Sequence, residues 1–347
     1  GIRTNRRCMN ERKTIVFFGS GDFPVKTLTH LINDGTYEVK AVVTSNYKSE
    51  FGDEHIAKIA YEKKIPCYVQ GNGGDMEKLA DWLNSNELKA DIACVISYKF
   101  LPKCVTDLFT VSFNVHASLL PFLRGSAPIH WAIRKGFDRT GLTSFILSDK
   151  IDAGNVICAV EAEVGPEETF GTLFDRLSAM SPEFTMETLD RIVSRWPAVI
   201  TSVQMTGMMP KELLRAPKLS AENTDFDNDE VKTSEELYRS IRACSPNYGY
   251  TMHFETWPDG KDLTVKVYEA GLYHTSDVWK IVDTDGKSYI SVTLSPDDEK
   301  SVLLKVVQMP CRKKMGICDF LAGCHDLHKG KNILKLKKGN KLWQRLR

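Results

Sequence analysis

TIVFFGSGDFPVKTLTHLINDGTYEVKAVVT, residues 14–44, holds the reading that decides the fold. Its first six residues are rich in β-branched and aromatic side chains and stop at a glycine-containing turn, GSGDFP. Residues 25–32 then repeat apolar side chains at helical spacing, and 37–44 return to a strand pattern. The alternation continues with a helix at 56–64, a strand at 66–69 and a helix at 76–84, then apolar strands at 91–98 and 111–116. Strands that alternate with helices predict a mostly parallel sheet joined by right-handed crossovers, so the expected class is α/β, Rossmann-like. In such sheets ligands bind beyond the C-terminal ends of the strands. Strands at 141–147 and 155–160 and a long amphipathic helix at 170–192 complete this part.

Further on, 201–229 is polar, carries Pro210 and Pro217, and reads as a linker. After a short helix at 234–243 the chain alternates like β-strands up to residue 307, with turns WPDGK, DTDGK and SPDDE between them. That pattern predicts a second, smaller domain, an OB-like β-barrel. The plan is therefore a basic leader at 1–13, expected to be disordered, a catalytic domain at 14–203, a linker at 204–229, a second domain at 230–323 and a basic tail at 324–347.

Two domains suit a chain of 347 residues, and 42% hydrophobic with 26% charged residues is ordinary globular composition. The net charge of +1 hides a basic end: from Arg312 onward eleven lysines and arginines face two acids, Asp319 and Asp326. That end suits an anionic partner. Its last part, KGKNILKLKKGNKLWQRLR, reads either as an RNA-binding extension or as a solvated helix or disordered tail. No apolar run is long enough to span a bilayer. The nine cysteines include no CxxC pair, and Cys311, Cys318 and Cys324, with His325 and His328, lack the short spacings of zinc modules. Reduced thiols and no metal are the expectation. GSGDFP is half of a dinucleotide fingerprint, but Pro24 stands where the third glycine should allow close helix packing.

The chemistry concentrates in FNVHASLLPFLRGSAPIHW, residues 113–131. Alternate residues of a strand share a face, so Asn114 and His116 project together. An acidic turn, SDKIDAG at 148–154, brings Asp152 before the next strand. An amide, an imidazole and a carboxylate at strand ends suit acyl transfer from a formamide-like donor to an amine. Asn114 can donate to the oxyanion that develops, His116 can donate to it or move a proton, and Asp152 can orient His116 or relay a proton through water.

These residues, with TGLTSF and IDAGNVI, resemble the formyltetrahydrofolate-dependent formyltransferases, most nearly the branch that formylates methionyl-initiator tRNA. The resemblance implies a catalytic trio of Asn114, His116 and Asp152, and a signature loop of Ser118, Leu119, Leu120 and Pro121 lining the folate site. It implies 10-formyltetrahydrofolate as co-substrate, no metal, methionyl-initiator tRNA as partner, no membrane, and a monomer. A bacterial cytoplasm is the compartment expected, with a mitochondrial or plastid matrix as the alternative. FFGSGDFPVKTL, LLRAPKLSAENTDFDN, RSIRACSPNYGYTM and CRKKMGICDFLAG extend the resemblance over residues 14–323. Candidate tRNA contacts are Lys48, Arg124, Lys218, Arg312, Lys313 and Lys314. One departure stands out. Where the tRNA-acting branch carries a long basic loop, residues 45–54 read SNYKSEFGDE, with Lys48 against three acids. A formyltransferase acting on an amino sugar, a formyl-folate hydrolase and a non-catalytic RNA-binding protein stay open beside the main reading.

Overall fold

The computed structural model describes residues 12–45, 55–71, 75–147, 155–195, 215–297 and 299–343. The leader, Lys48 and the acidic turn with Asp152 lie outside the described residues, as does the linker up to residue 214. In chain order the elements are β1 (Thr14–Gly19), α1 (Val25–Asp34), β2 (Glu38–Ser45), α2 (Ile56–Glu62), β3 (Cys67–Gln70), α3 (Met76–Ser85) and β4 (Ile92–Ile96). Next come α4 (Lys103–Thr106), β5 (Val111–His116), α5 (Pro128–Arg134), β6 (Arg139–Ile146), β7 (Val156–Glu163) and α6 (Phe170–Arg195). They are followed by α7 (Ala221–Thr224), α8 (Ser234–Ala243), β8 (Tyr250–Trp257), β9 (Lys261–His274), β10 (Val282–Thr284), β11 (Ile290–Val292) and β12 (Lys300–Gln308). The chain closes with β13 (Met315–Gly316), α9 (Ile317–Gly323), α10 (His325–His328), β14 (Ile333–Lys338) and β15 (Lys341–Leu342). Two compact units result, one within 1–125, 140–163 and 174–215, the other within 126–139, 164–173 and 216–347.

The first unit carries a seven-stranded sheet in the order β3-β2-β1-β4-β5-β6-β7. Strands β3, β2, β1, β4 and β5 pair in parallel, and β6 runs antiparallel to β5. The chain works outward from β1 to β3 and then returns to place β4 against β1, so the strand order reverses there. Period-two alternation decides what each strand buries. Val16 and Phe18 stand in register with Ala93 and Val95 on one side and Ala41 and Val43 on the other. Together with Leu79 and Leu83 of α3 and Val105 of α4 they form one core. Tyr98 and Phe109 meet Phe18 edge-on, with ring centroids 5.8 and 6.0 Å away. Each such large side chain contributes about 2–3 kcal/mol through burial. Asp75 starts α3 by accepting the Glu77 amide at 2.8 Å.

The second unit is an OB-like body built on an antiparallel, eight-stranded sheet. Its path is β10-β11-β12-β9-β8-β14-β15, with β13 on the side of β12. Strand β9 is fourteen residues long and pairs with both β8 and β12. Tyr250, Met252 and Phe254 alternate into the core from β8, as Leu334 and Leu336 do from β14. In β12 the register shifts between Leu304 and Val307, and the apolar positions in the core run 302, 304 and 307. A bulge of this kind bends a strand and increases its local twist.

Two expectations are corrected here. Residues 333–338, for which a solvated helix or disordered tail is one of two expectations, form β14 and pair with β8 over five residues, which overturns that reading and leaves the RNA-binding one open. The physical reason is the alternation of Leu334 and Leu336 with lysines, a strand period that the density of positive charge concealed. Residues 126–139, placed by sequence inside 14–203, cluster with the second unit. There Arg134 of α5 pairs with Asp229 and donates to the Asn223 carbonyl at 2.8 Å and to Ser240 Oγ at 3.0 Å.

Candidate active site

Strand β5 is buried except at Asn114, which is half-buried, and its apolar residues Val111, Phe113 and Val115 hold it between β4 and β6. Asn114 and His116 share the alternate face. Across β6, Asn114 stands opposite Phe145 and His116 opposite Thr143. The structure thus brings together the amide and imidazole that the sequence singled out. The third member of the trio, Asp152, is outside the described residues.

The loop that follows folds back on the strand that launches it. Ser118 is fully buried and donates from Oγ to the Phe122 carbonyl at 2.7 Å. The Phe122 amide donates to the Leu119 carbonyl at 3.0 Å, which closes a turn over Leu120 and Pro121. The peptide between Leu120 and Pro121 is cis. Thr143 Oγ1 accepts the Leu120 amide at 3.1 Å and donates to the Ser118 carbonyl at 2.7 Å. At the far end of the loop His116 Nε2 lies 2.9 Å from the Leu123 carbonyl. Carbonyls only accept, so Nε2 carries a proton, and in the neutral ring Nδ1 bears the lone pair. Leu119 rests over Gly141 of β6. A Cβ there would lie 1.9 Å from the Val160 carbonyl oxygen and 2.8 Å from Leu119 Cδ2, so only glycine fits.

On this face of β5 two polar atoms are left over among the described residues, Ser112 Oγ and, next to His116, Asn114 Oδ1. Asn114 Oδ1 is buried and has no hydrogen-bond partner among the described residues. A buried amide oxygen without a partner is costly, and such atoms in a native site call for an explanation. An incoming N–H would satisfy it, and the Nδ2 end of the same amide is a donor suited to an oxygen. The pair of functions fits a formyl donor and an amine acceptor.

Of the candidate tRNA contacts, Arg124 is exposed in the first unit, and Lys218, Arg312 and Lys313 are exposed in the second. Lys314 is committed locally. Its ammonium donates to the Pro246 carbonyl at 2.8 Å and sits 3.7 Å over the Tyr268 ring. Among the described residues Cys311, Cys318 and Cys324 do not converge. The group of metal-ligand type that does is Asp225, Asp227 and His253, where His253 Nε2 is already 2.8 Å from Asp225 Oδ1. The sequence reading missed this group, and it missed Thr143 and Leu123, which join the site only through register and loop closure.

Comparison with known proteins places these observations. The pattern of the formyl transferase family matches residues 12–189. Methionyl-tRNA formyltransferase of Bacteroides thetaiotaomicron is 32% identical over 323 residues, covering 89% of this chain and 95% of that protein. The protein of the same name from Flavobacterium johnsoniae is 31% identical, covering 90% and 96%. Among solved structures, a sugar 3N-formyl transferase in the presence of dTDP and 5-N-formyl-THF superposes with a TM-score of 0.58 at 14% identity, covering 88% of this chain and 100% of that one. HypX from Aquifex aeolicus in complex with tetrahydrofolic acid gives 0.53 at 14% identity, covering 97% of this chain and 50% of that one. At such identities the likeness to solved structures speaks to fold alone. No helix among the described residues is long and apolar enough to cross a membrane.

Proposed function

The chain belongs to the formyl transferase family, and on that premise we propose that it transfers the formyl group of 10-formyltetrahydrofolate to the α-amino group of methionyl-initiator tRNA. The observation that carries the chemistry is the pairing of Asn114 and His116 on one face of β5, with Asn114 Oδ1 buried and unpartnered among the described residues. The acceptor is supported by relatives named methionyl-tRNA formyltransferase, which the chain matches along 95–96% of their length, second unit included.

Attack of the amine on the formyl carbon builds negative charge on the formyl oxygen. Asn114 Nδ2 donates to that oxygen, and Oδ1 accepts an N–H of the amine, which holds the nucleophile in line. His116 manages the proton that the amine must lose, with Asp152 orienting the ring or relaying through water; collapse of the tetrahedral centre then breaks the bond from the formyl carbon to N10 of the folate, which takes up a proton and leaves as tetrahydrofolate. Ser118, Leu119, Leu120 and Pro121 line the donor site. No metal is needed for these steps. Exposed Lys218, Arg312 and Lys313 meet tRNA phosphates in the second unit, and Arg124 serves the same purpose in the first. The protein acts as a monomer, in a compartment that supplies both substrates, a bacterial cytoplasm or an organelle matrix.

The test is an acceptor competition. Purified protein is incubated with 10-formyltetrahydrofolate and methionyl-initiator tRNA, and in parallel with a nucleotide-linked amino sugar. Formylmethionyl-tRNA is the expected product. Formylated sugar, or release of formate without an acceptor, would assign one of the related reactions instead. Tight RNA binding with no formyl transfer to anything would make the chain a binding protein.

A further inference from the structure

We propose that Thr143 is a positioning residue for formyl transfer. It clamps the near end of the loop whose far end is held by His116, so loop shape and imidazole tautomer are set together. The inference rests on the reading of residues 118–121 as the donor loop.

Register is the starting point. Thr143 and His116 face each other across β5 and β6, and both are buried, at 1% and 7% exposure. A hydroxyl has one proton to give and lone pairs to receive. Thr143 uses both on backbone groups two residues apart, giving to the Ser118 carbonyl at 2.7 Å and receiving the Leu120 amide at 3.1 Å. His116 Nε2 gives to the Leu123 carbonyl at 2.9 Å. Between these anchors, Ser118 Oγ and the Leu119 carbonyl tie Phe122 back to the start of the loop. Leu123 itself sits at φ 54°, the left-handed region that residues with a Cβ avoid. Such a conformation persists where its surroundings over-determine it. The surroundings here are the two clamps.

A side chain outside the trio therefore governs what the trio presents. Without the Thr143 hydroxyl, the Ser118 carbonyl and the Leu120 amide lose their shared partner and the near end of the loop is released. The Leu123 carbonyl then no longer stands where it fixes the proton on His116 Nε2. Thr143 touches neither reacting atom in this scheme, and its effect passes through the donor loop alone.

The experiment compares wild type, Thr143→Val, which keeps shape without the hydroxyl, and Thr143→Ser, which restores the hydroxyl. Donor binding is measured calorimetrically with 5-formyltetrahydrofolate, and steady-state kinetics are run with each substrate varied in turn. Thr143→Val is expected to raise both the donor Kd and the donor KM by about 10-fold to 100-fold, as loss of a buried hydrogen-bonded partner implies. The KM for methionyl-tRNA should stay at the wild-type value, and Thr143→Ser should recover most of the donor affinity. Thr143→Ala takes the place of Thr143→Val if the latter does not fold by circular dichroism. Wild-type donor Kd and KM in the variant without the hydroxyl would overturn the inference and leave the proposed activity standing. A wild-type protein that binds no folate would overturn both together.

Discussion

Arg134 and Asp229, ninety-five residues apart in the chain, form an ion pair whose side chains are only 11% and 6% exposed. The carboxylate is fully used, because its second oxygen accepts the Tyr250 hydroxyl at 2.8 Å. Desolvated pairs of this kind add little net stability but are costly to break, since the surviving charge stays buried. Arg134→Met should lower the unfolding free energy by about 3–5 kcal/mol in a urea titration. Adding Asp229→Leu to the same protein should recover most of that loss. A single variant within about 1 kcal/mol of wild type would mean the pair is solvated in solution.

Asn114 and His116 should separate activity from stability in different ways. Asn114 Oδ1 accepts no hydrogen bond from the described residues, so Asn114→Ala removes little that holds the fold. Turnover should nevertheless drop by about 100-fold or more, the usual effect of deleting an oxyanion donor. His116→Ala should cost activity and also about 1 kcal/mol of stability through the lost bond to the Leu123 carbonyl. Near-normal turnover in either folded variant would remove it from the machinery.

His130 supplies a pH signature. It stacks on Phe170 with ring centroids 3.8 Å apart, and Tyr248 meets it edge-on at 5.9 Å. Burial pushes its pKa down to about 3. The unfolded chain takes up this proton near pH ~6.5, the ordinary histidine value. Between those two values the unfolded state binds more protons than the folded one, so stability is full above the upper value and falls as the pH drops through the window. The slope of unfolding free energy between about pH 6.5 and 4.5 should be shallower in His130→Phe than in wild type. Equal slopes would assign the acid sensitivity to other groups.

Truncation at the basic end should damage the fold before it reports on RNA. Strands β14 and β15 lie within the last nineteen residues, and Leu334 and Leu336 belong to the core of the second unit. Its lysines are also engaged: Lys337 pairs with Asp262 and Glu255, Lys338 donates to the Asp229 carbonyl, and Lys335 sits 4.7 Å over the Trp257 ring. Deleting residues 329–347 should abolish cooperative unfolding of the second unit. Arg312→Gln with Lys313→Gln should leave melting unchanged, weaken tRNA binding and reduce its salt slope by about 1–2. An unaltered salt slope would take these two cations out of the interface.

The first sheet was readable from residues alone because its strands are short apolar runs between helical periods, and 111–116 coincides with β5 at both ends. Asn114 and His116 were readable for the same reason, since alternation on a strand requires no tertiary information. Thr143 was not, because its partnership with His116 depends on how β5 and β6 align. The phase change in β12 was equally hidden. Lys305 and Val306 sit inside a run that alternates only if the bulge is known beforehand. Strand β14 is visible as a period of two, but eleven positive charges at that end of the sequence point equally to an RNA-binding extension or a solvated tail and mask the strand. The membership of α5 turned on Arg134, and nothing local in PIHWAIR points to an acid at position 229.

The division of the chain into units has a consequence for any attempt to dissect it. The polypeptide passes between the units five times rather than once. A fragment ending near residue 203 would keep the strand that bears Asn114 and His116, but it would also keep Arg134 and leave Asp229 behind. Modular shuffling by a single cut is therefore closed to this architecture. Any exchange of one half must bring along the two insertions threaded through the other.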